Sequence, residues 1–211
     1  LSPLVSDDLD DTLVDQRKRR ELALFGDGFS ILLHRDNYLL PWTHNGRQVN
    51  GEDDFGEARE LDAEEIKFQL SIRSLLLKNL PFDGRLYAAY TNQSHWQAYN
   101  DDDSNPFRET NHQPELFIDF PIDKRYRGVK INSFRLALNH QSNGRSGTIS
   151  RSWNRAYAEL LLSTKYSELN VRTWWQVTED QDNPDIRDFL GDFQIDGLRN
   201  WGKNQIHWKA R

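Results

Sequence analysis

Ile66-Lys67-Phe68-Gln69-Leu70-Ser71-Ile72-Arg73 places an apolar residue at every even position and Lys, Gln, Ser or Arg at every odd one. Period two is the signature of a strand, because successive side chains leave the backbone on opposite faces. The pattern spreads outward along the chain. In 86–96 the even set is Leu86, Ala88, Tyr90, Asn92, Ser94 and Trp96. Leu116, Ile118 and Phe120 alternate with Phe117 and Asp119, and Phe134, Leu136 and Leu138 with Arg135, Ala137 and Asn139. Ala156, Ala158, Leu160 and Leu162 alternate with Arg155, Tyr157, Glu159 and Leu161. Leu169, Val171, Thr173 and Trp175 alternate with Asn170, Arg172, Trp174 and Gln176. With strand-like stretches at 29–41 and 191–210, the reading is about eight or nine strands, several long enough to cross a bilayer. Turn chemistry separates them: Asn45-Gly46, Asn50-Gly51, Asp83-Gly84, Asn143-Gly144 and Asn183-Pro184-Asp185.

Composition narrows the class. The chain has 211 residues, formal net charge −6, and neither Cys nor Met. Without Cys there is no disulfide scaffold, thiolate metal site or thiol nucleophile. Without Met the first residue is not an initiator, so a processed or internal segment is expected. No apolar run approaches the ~18–20 residues of a membrane-spanning helix. A mean hydropathy of −0.84 still permits a transmembrane barrel, since alternating strands keep the average low. The acidic balance argues against a nucleic-acid partner. Residues 1–24 are polar and block-charged, and are read as an arm or short helix. Residues 25–211 are read as one all-β domain.

Alternation suits a soluble sandwich and a membrane barrel alike, because the polar face carries both signs (Lys67, Arg73, Arg135, Arg155 and Arg172 against Asp119 and Glu159). Trp and Tyr near strand ends favour the barrel, where they would form girdles at the two membrane interfaces. The set is Tyr38, Trp42, Tyr90, Trp96, Trp153, Tyr157, Trp174 and Trp175.

The densest chemistry lies in Asn139-His140-Gln141-Ser142-Asn143-Gly144-Arg145-Ser146 and Ser150-Arg151-Ser152-Trp153-Asn154-Arg155. His140 and Ser142 share a face of one strand. An antiparallel partner across the turn would set Asn154 beside His140. A hydroxyl, an imidazole and an amide that orients it would then be assembled, as in serine hydrolases with Asn in third place. Parity puts all three at the end of apolar stripes. In a soluble fold they could be a hydrogen-bonded cap. In a barrel they would stand on the outer wall, at the depth of lipid ester bonds.

These two strings resemble the signature of the outer-membrane phospholipase A family of Gram-negative bacteria. The similarity continues in Asn37-Tyr38-Leu39-Leu40, Lys67-Phe68-Gln69-Leu70-Ser71, Tyr90-Thr91, Trp96-Gln97, Pro106-Phe107-Arg108-Glu109-Thr110-Asn111, Pro114-Glu115-Leu116-Phe117 and Asp182-Asn183-Pro184-Asp185-Ile186. It covers about residues 25–195. The resemblance implies an antiparallel transmembrane β-barrel of about twelve strands in the outer membrane. It implies a calcium-dependent, dimerisation-activated phospholipase hydrolysing sn-1 and sn-2 acyl esters of phospholipids and lysophospholipids. Ser142 would be the nucleophile, His140 the base, Asn154 the orienting amide, and the Gly144 N–H an oxyanion donor. Arg145 (through its carbonyl), Ser150 and Ser104 match calcium positions, Ser104 completing the site of a second subunit, and Asp182 matches a carboxylate of the unpaired subunit's site. Oxygen donors alone suit a hard cation.

Some features stand against or outside this reading. The Asp101-Asp102-Asp103 run is not an EF-hand, since Pro106 stands where Gly is needed and His112 where the bidentate Glu should be. Gly144-Arg145-Ser146-Gly147 is not a nucleophile elbow, because Thr148 replaces the closing Gly. His34, His44, His95, His112 and His207 lack metal-ligand spacing and are read as surface or lumen residues. Asn92 stands where the family tends to carry Gln. Eight or nine strands fall short of a closed family barrel, so the expectation is a C-terminally incomplete fragment. A non-catalytic, porin-like barrel is the alternative reading, and a soluble sandwich a third.

Overall fold

A computed structural model describes residues 11–24, 30–46, 51–52, 58–101, 105–145, 149–177 and 186–211. The long strands are β5 (Glu64–Leu80), β6 (Gly84–Trp96), β7 (Phe107–Tyr126), β8 (Val129–Ser142), β9 (Ser152–Ser163) and β10 (Ser167–Gln176). They follow α1 (Leu13–Leu24), β1 (Ile31–Leu33), β2 (Tyr38–His44) and the short ladder β3 (Gly51–Glu52) with β4 (Ala58–Arg59). The chain closes with α2 (Ile186–Leu190), β11 (Phe193–Trp201) and β12 (Asn204–Ala210). One antiparallel sheet runs β1-β5-β6-β7-β8-β9-β10-β11-β12, with β2 also lying on β5. Sequential neighbours pair antiparallel throughout; β5–β6, β7–β8, β9–β10 and β11–β12 are joined by turns of two or three residues, which can only join adjacent antiparallel strands. Between β7 and β8, Arg127 and Gly128 both take positive φ (+48° and +82°), the geometry of a type I′ hairpin. The sheet curls far enough that His207 Nδ1 of β12 lies 3.4 Å from Asp36 Oδ2, between β1 and β2.

Curling gives the two parities different solvents. Outward residues are apolar and open: Leu70, Leu116, Leu136 and Leu138 are all about half exposed or more. Inward residues are polar or aromatic and buried, and their charges are paired. Glu159 accepts from Arg135 Nη1 and from Arg172 Nε, each at 2.8 Å. Asp119 accepts from Arg135 Nε at 2.6 Å. Glu115 takes the Arg35 guanidinium at 3.0 Å, the Tyr157 hydroxyl at 2.5 Å and the Asn139 amide at 3.2 Å. A buried charge survives only when paired and hydrogen-bonded, and these inward charges meet that condition.

The aromatic expectation needs one correction. Trp42 and Trp175 stand exposed on the outer wall, as girdle residues should. Trp153, Tyr157 and Trp174 do not: they are 1%, 2% and 3% exposed, inside the curl. Their parity is that of Arg155 and Arg172, so strand geometry turns them inward. There Arg155 lies 4.5 Å over the Trp153 ring and 5.5 Å over Trp174, an arrangement favourable to a desolvated cation.

Helix α1 docks against the same inner face. Thr12 and Asp15 form its capping box, Thr12 N–H donating to Asp15 (3.1 Å) and Asp15 N–H to Thr12 Oγ1 (3.3 Å). Ion pairs then tie it to the strands: Arg17 to Glu168 on β10, Glu21 to Arg73 on β5, and Asp15 to Lys130 on β8 and Arg125 on β7.

Candidate active site

The site is built where β8 and β9 end together. Their register sets His140 opposite Asn154 and Ser142 opposite Ser152. His140 Nδ1 lies 2.9 Å from Asn154 Oδ1, so the cross-strand pair expected from parity is formed. All three candidate residues lie on the outer wall, His140 exposed and Ser142 and Asn154 half-buried. An amide oxygen accepts, so His140 donates from Nδ1, and the lone pair of its other nitrogen is left free to take a proton.

The opposite face of the same ladder step supports this pair. Asn139 faces Arg155 in register, and Arg155 Nε donates to Asn139 Oδ1 at 2.8 Å. Asn139 in turn reaches Glu115. Each strand is therefore held on the inside one residue away from the group it presents outside.

Ser142 continues the face of His140, and its Oγ accepts from the Gly144 N–H at 3.0 Å. Among the described residues no hydrogen bond joins His140 to Ser142. Gly144 sits at φ +72°, where a side chain would be strained. This folds the chain back so that the Gly144 N–H points at the Ser142 hydroxyl.

The loop that follows is organised by Asn143, which reading the sequence did not single out. Asn143 is 7% exposed. Its Oδ1 accepts from the N–H of Arg145 (3.2 Å) and of Arg151 (3.0 Å), and its Nδ2 donates to the Ile149 carbonyl (2.9 Å). One side chain thereby ties the backbone of Arg145, one expected calcium position, to the residues on either side of Ser150, the other. The Arg145 guanidinium reaches the Phe107 and Arg108 carbonyls (3.3 and 3.1 Å), and the expected ligands at these two positions are a main-chain carbonyl and a hydroxyl. That donor set fits calcium, which binds through oxygen. Ser104 and Asp182 lie outside the described residues.

Two further polar groups stand beside the nucleophile. His112 on β7 pairs in register with Ser142, and its Nδ1 lies 2.6 Å from the Tyr90 hydroxyl on β6. The parity of Leu116 and Ile118 extends to His112, so its place on the outer wall was available in the sequence. Its nearness to Ser142 was not, because that depends on the β7–β8 register.

Comparison with known proteins converges. The family profile for Phospholipase A1 matches residues 14–211. The phospholipase A1 of Klebsiella pneumoniae is 38% identical over 171 residues, covering 79% of this chain and 59% of that protein. The Escherichia coli K12 phospholipase A1 is 36% identical over 168 residues, covering 79% and 58%. The chain thus spans a little under three fifths of the length of these relatives. Among solved structures, the calcium-bound dimer of the Salmonella typhi outer membrane phospholipase superposes with TM-score 0.79 at 32% identity, covering 88% of this chain and 73% of that one. The outer membrane phospholipase A of Escherichia coli gives TM-score 0.69 at 37% identity, covering 71% and 59%.

Proposed function

Because this chain belongs to the phospholipase A1 family, we propose that it forms the catalytic wall of an outer-membrane phospholipase A. The observation that carries the reading is the 2.9 Å contact between His140 Nδ1 and Asn154 Oδ1 on the apolar outer face, with Ser142 two residues along the same strand. An ester bond at the membrane boundary would meet this trio without leaving the lipid phase. We assign the protein to the outer membrane of a Gram-negative bacterium, with its half-exposed leucine face against lipid.

In this reading Ser142 Oγ attacks the acyl carbonyl and its proton passes to His140 Nε2. The imidazolium returns that proton to the departing lysophospholipid or glycerophosphoryl oxygen. A water then gives its proton to His140 and attacks the acyl-enzyme, releasing fatty acid and the restored serine. Asn154 holds the ring in the required tautomer. The Gly144 N–H, which holds Oγ in the resting geometry, lies beside the carbonyl oxygen as it gains charge. Both sn-1 and sn-2 esters of phospholipids and lysophospholipids are proposed substrates.

We further propose a calcium ion held by the Arg145 carbonyl and the Ser150 hydroxyl, with Ser104 from a second copy and Asp182 serving the unpaired form. When bound, it supplies electrostatic stabilisation to negative charge developing near Gly144. A site shared between copies would make activity depend on dimerisation, and the calcium-bound dimer of the Salmonella typhi protein supports that reading.

The test is fatty-acid release from phospholipid mixed micelles by the full-length protein. Expected is activity with calcium, loss on adding EDTA, and loss in Ser142→Ala. Activity indifferent to EDTA removes the calcium role, and activity that survives Ser142→Ala removes the mechanism.

A further inference from the structure

One polar pair on the outer wall is not used by that mechanism. Tyr90 on β6 and His112 on β7 stand on neighbouring strands, and β7 lies beside β8. The Tyr90 Oη to His112 Nδ1 distance is 2.6 Å. A phenol can donate to a ring nitrogen, and a neutral imidazole carries one proton, so a Tyr90 hydroxyl that donates to Nδ1 leaves the ring's hydrogen on Nε2.

The direction of that second nitrogen is fixed too. His112 is the register partner of Ser142. Its Cδ2–Nε2 edge faces Gly144: a Cβ built on Gly144 would lie 3.7 Å from Cδ2 and 3.8 Å from Nε2. A donor on Nε2 is thus held against Gly144, whose N–H meets the Ser142 hydroxyl. His112 meets Ser142 across the β7–β8 ladder, and Gly144 follows two residues beyond.

We propose that His112 is a second oxyanion donor for the acyl-transfer reaction, with Tyr90 as the positioning residue that fixes its tautomer. This rests on the serine mechanism above. As the Ser142 Oγ–carbon bond forms, the carbonyl π pair moves onto oxygen. The Gly144 N–H and the His112 Nε2–H then share that charge. His112 keeps its proton throughout, and the transferred proton travels on His140 alone. Two donors aimed at one oxygen are what a tetrahedral intermediate requires. An uncharged imidazole supplies its donor without a formal charge exposed to lipid, which would be costly there.

The experiment measures kcat and KM of the full-length protein with calcium, for wild type, His112→Ala, His112→Gln, Tyr90→Phe and Ser142→Ala. Two substrates are used: a phospholipid in mixed micelles and an uncharged p-nitrophenyl acyl ester. Heat-modifiable migration on gels confirms that each variant barrel is folded. Removing an oxyanion donor lowers kcat about 10²–10³-fold. Expected, then, is a kcat loss of about a hundredfold in His112→Ala on both substrates, with KM little changed. His112→Gln should recover at least tenfold of it, since its amide N–H can donate from a similar place. Tyr90→Phe should lose several-fold, through kcat. An unchanged kcat in folded His112→Ala overturns the proposal. So does a loss confined to the phospholipid, which would make His112 a headgroup contact, and so does His112→Gln as slow as His112→Ala. Residual activity in Ser142→Ala would instead overturn the serine mechanism, so the two failures are separable.

Discussion

Two histidines sit on opposite faces of this sheet, each 2.9 Å from an oxygen partner. His34 Nε2 meets Glu115 inside the curl, and His140 Nδ1 meets Asn154 outside it. The inner pair is sealed: both side chains are 2% exposed, and Arg35 and Tyr157 bind the same carboxylate. The outer pair is open and its partner is neutral. The difference follows from what each face can neutralise. Inside, a carboxylate is matched by guanidinium groups at hydrogen-bond distance. Outside, next to apolar side chains and lipid, a carboxylate would have no counter-charge and would pay the full desolvation cost. An amide can orient an imidazole there without carrying charge. The His34 imidazole is thus structural, and that of His140 is left with a free nitrogen for proton transfer.

The largest expected break in this comparison comes from the outer wall itself. Ser142→Ala should remove essentially all acyl hydrolysis, by a factor on the order of 10⁵ or more, since triad members act as a unit. The folded barrel should persist, as read by heat-modifiable migration. The mirror experiment is on the inner wall. Glu159→Leu leaves Arg172 without its carboxylate and Arg135 with only Asp119. Breaking a buried pair from one side costs about 3–5 kcal/mol, so thermal unfolding in detergent should shift down by many degrees. In the protein that remains folded at low temperature, kcat should change little, because Glu159 stands several ladder steps from His140. Asn154→Ala comes next. It should lower kcat about a hundredfold, at the bottom of the range for a mispositioned general base, with stability nearly unaffected. Asn154→Asp would sharpen the comparison by placing a carboxylate outside. If activity rose above wild type, charge on the outer wall would be tolerated and the account of why Asn occupies this position would fail.

How much of this could be read in the sequence depends on how local the determinant was. Parity is local, so the inward set of Arg135, Glu159 and Arg172 and the outward set of Leu136 and Leu138 were legible, as was the His140–Asn154 pairing across a short link. Trp153, Tyr157 and Trp174 are not girdle residues, because aromatic character does not set the face and parity does: they share the face of Arg155 and Arg172, which points inward. Asn143 was hidden for a different reason. An Asn-Gly pair signals a turn, but only the fold shows one carboxamide closing both ends of the Arg145–Arg151 loop. The nearness of His112 to Ser142 was hidden because a register shift between Pro121 and Lys124 lies between the β7–β8 turn and that end of β7. Counting back from the turn alone would set Asn143, not Ser142, opposite His112.

Smaller effects test the seams of the sheet. Gly197 on β11 lies under the Trp208 ring of β12, so close that an added Cβ would come within 2.0 Å of Trp208 Cε2. Gly197→Ala must displace that indole, at a cost of about 1–3 kcal/mol, read as a lowered melting temperature. Trp208→Ala combined with it should restore most of the loss, since the clash needs both partners.

The smallest effect concerns the docking of α1. Burial pushes the Asp15 carboxyl upward, but hydrogen bonds from the Lys130 ammonium and from Thr12 outweigh this and hold it below the ordinary carboxylate range. A group depressed on folding adds stability above its unfolded pKa of about 4, and that contribution fades as pH falls through the folded value. The pair is partly open to solvent and worth about 0–1 kcal/mol. Lowering the pH below about 4 should therefore loosen α1 without unfolding the sheet, seen as faster proteolysis in the N-terminal arm at unchanged barrel migration. Asp15→Asn should show the loosened state at neutral pH and lose the pH response. If Asp15→Asn responds to acid as wild type does, the Glu21 or Glu168 pairs hold the helix, and Asp15 serves only as its cap.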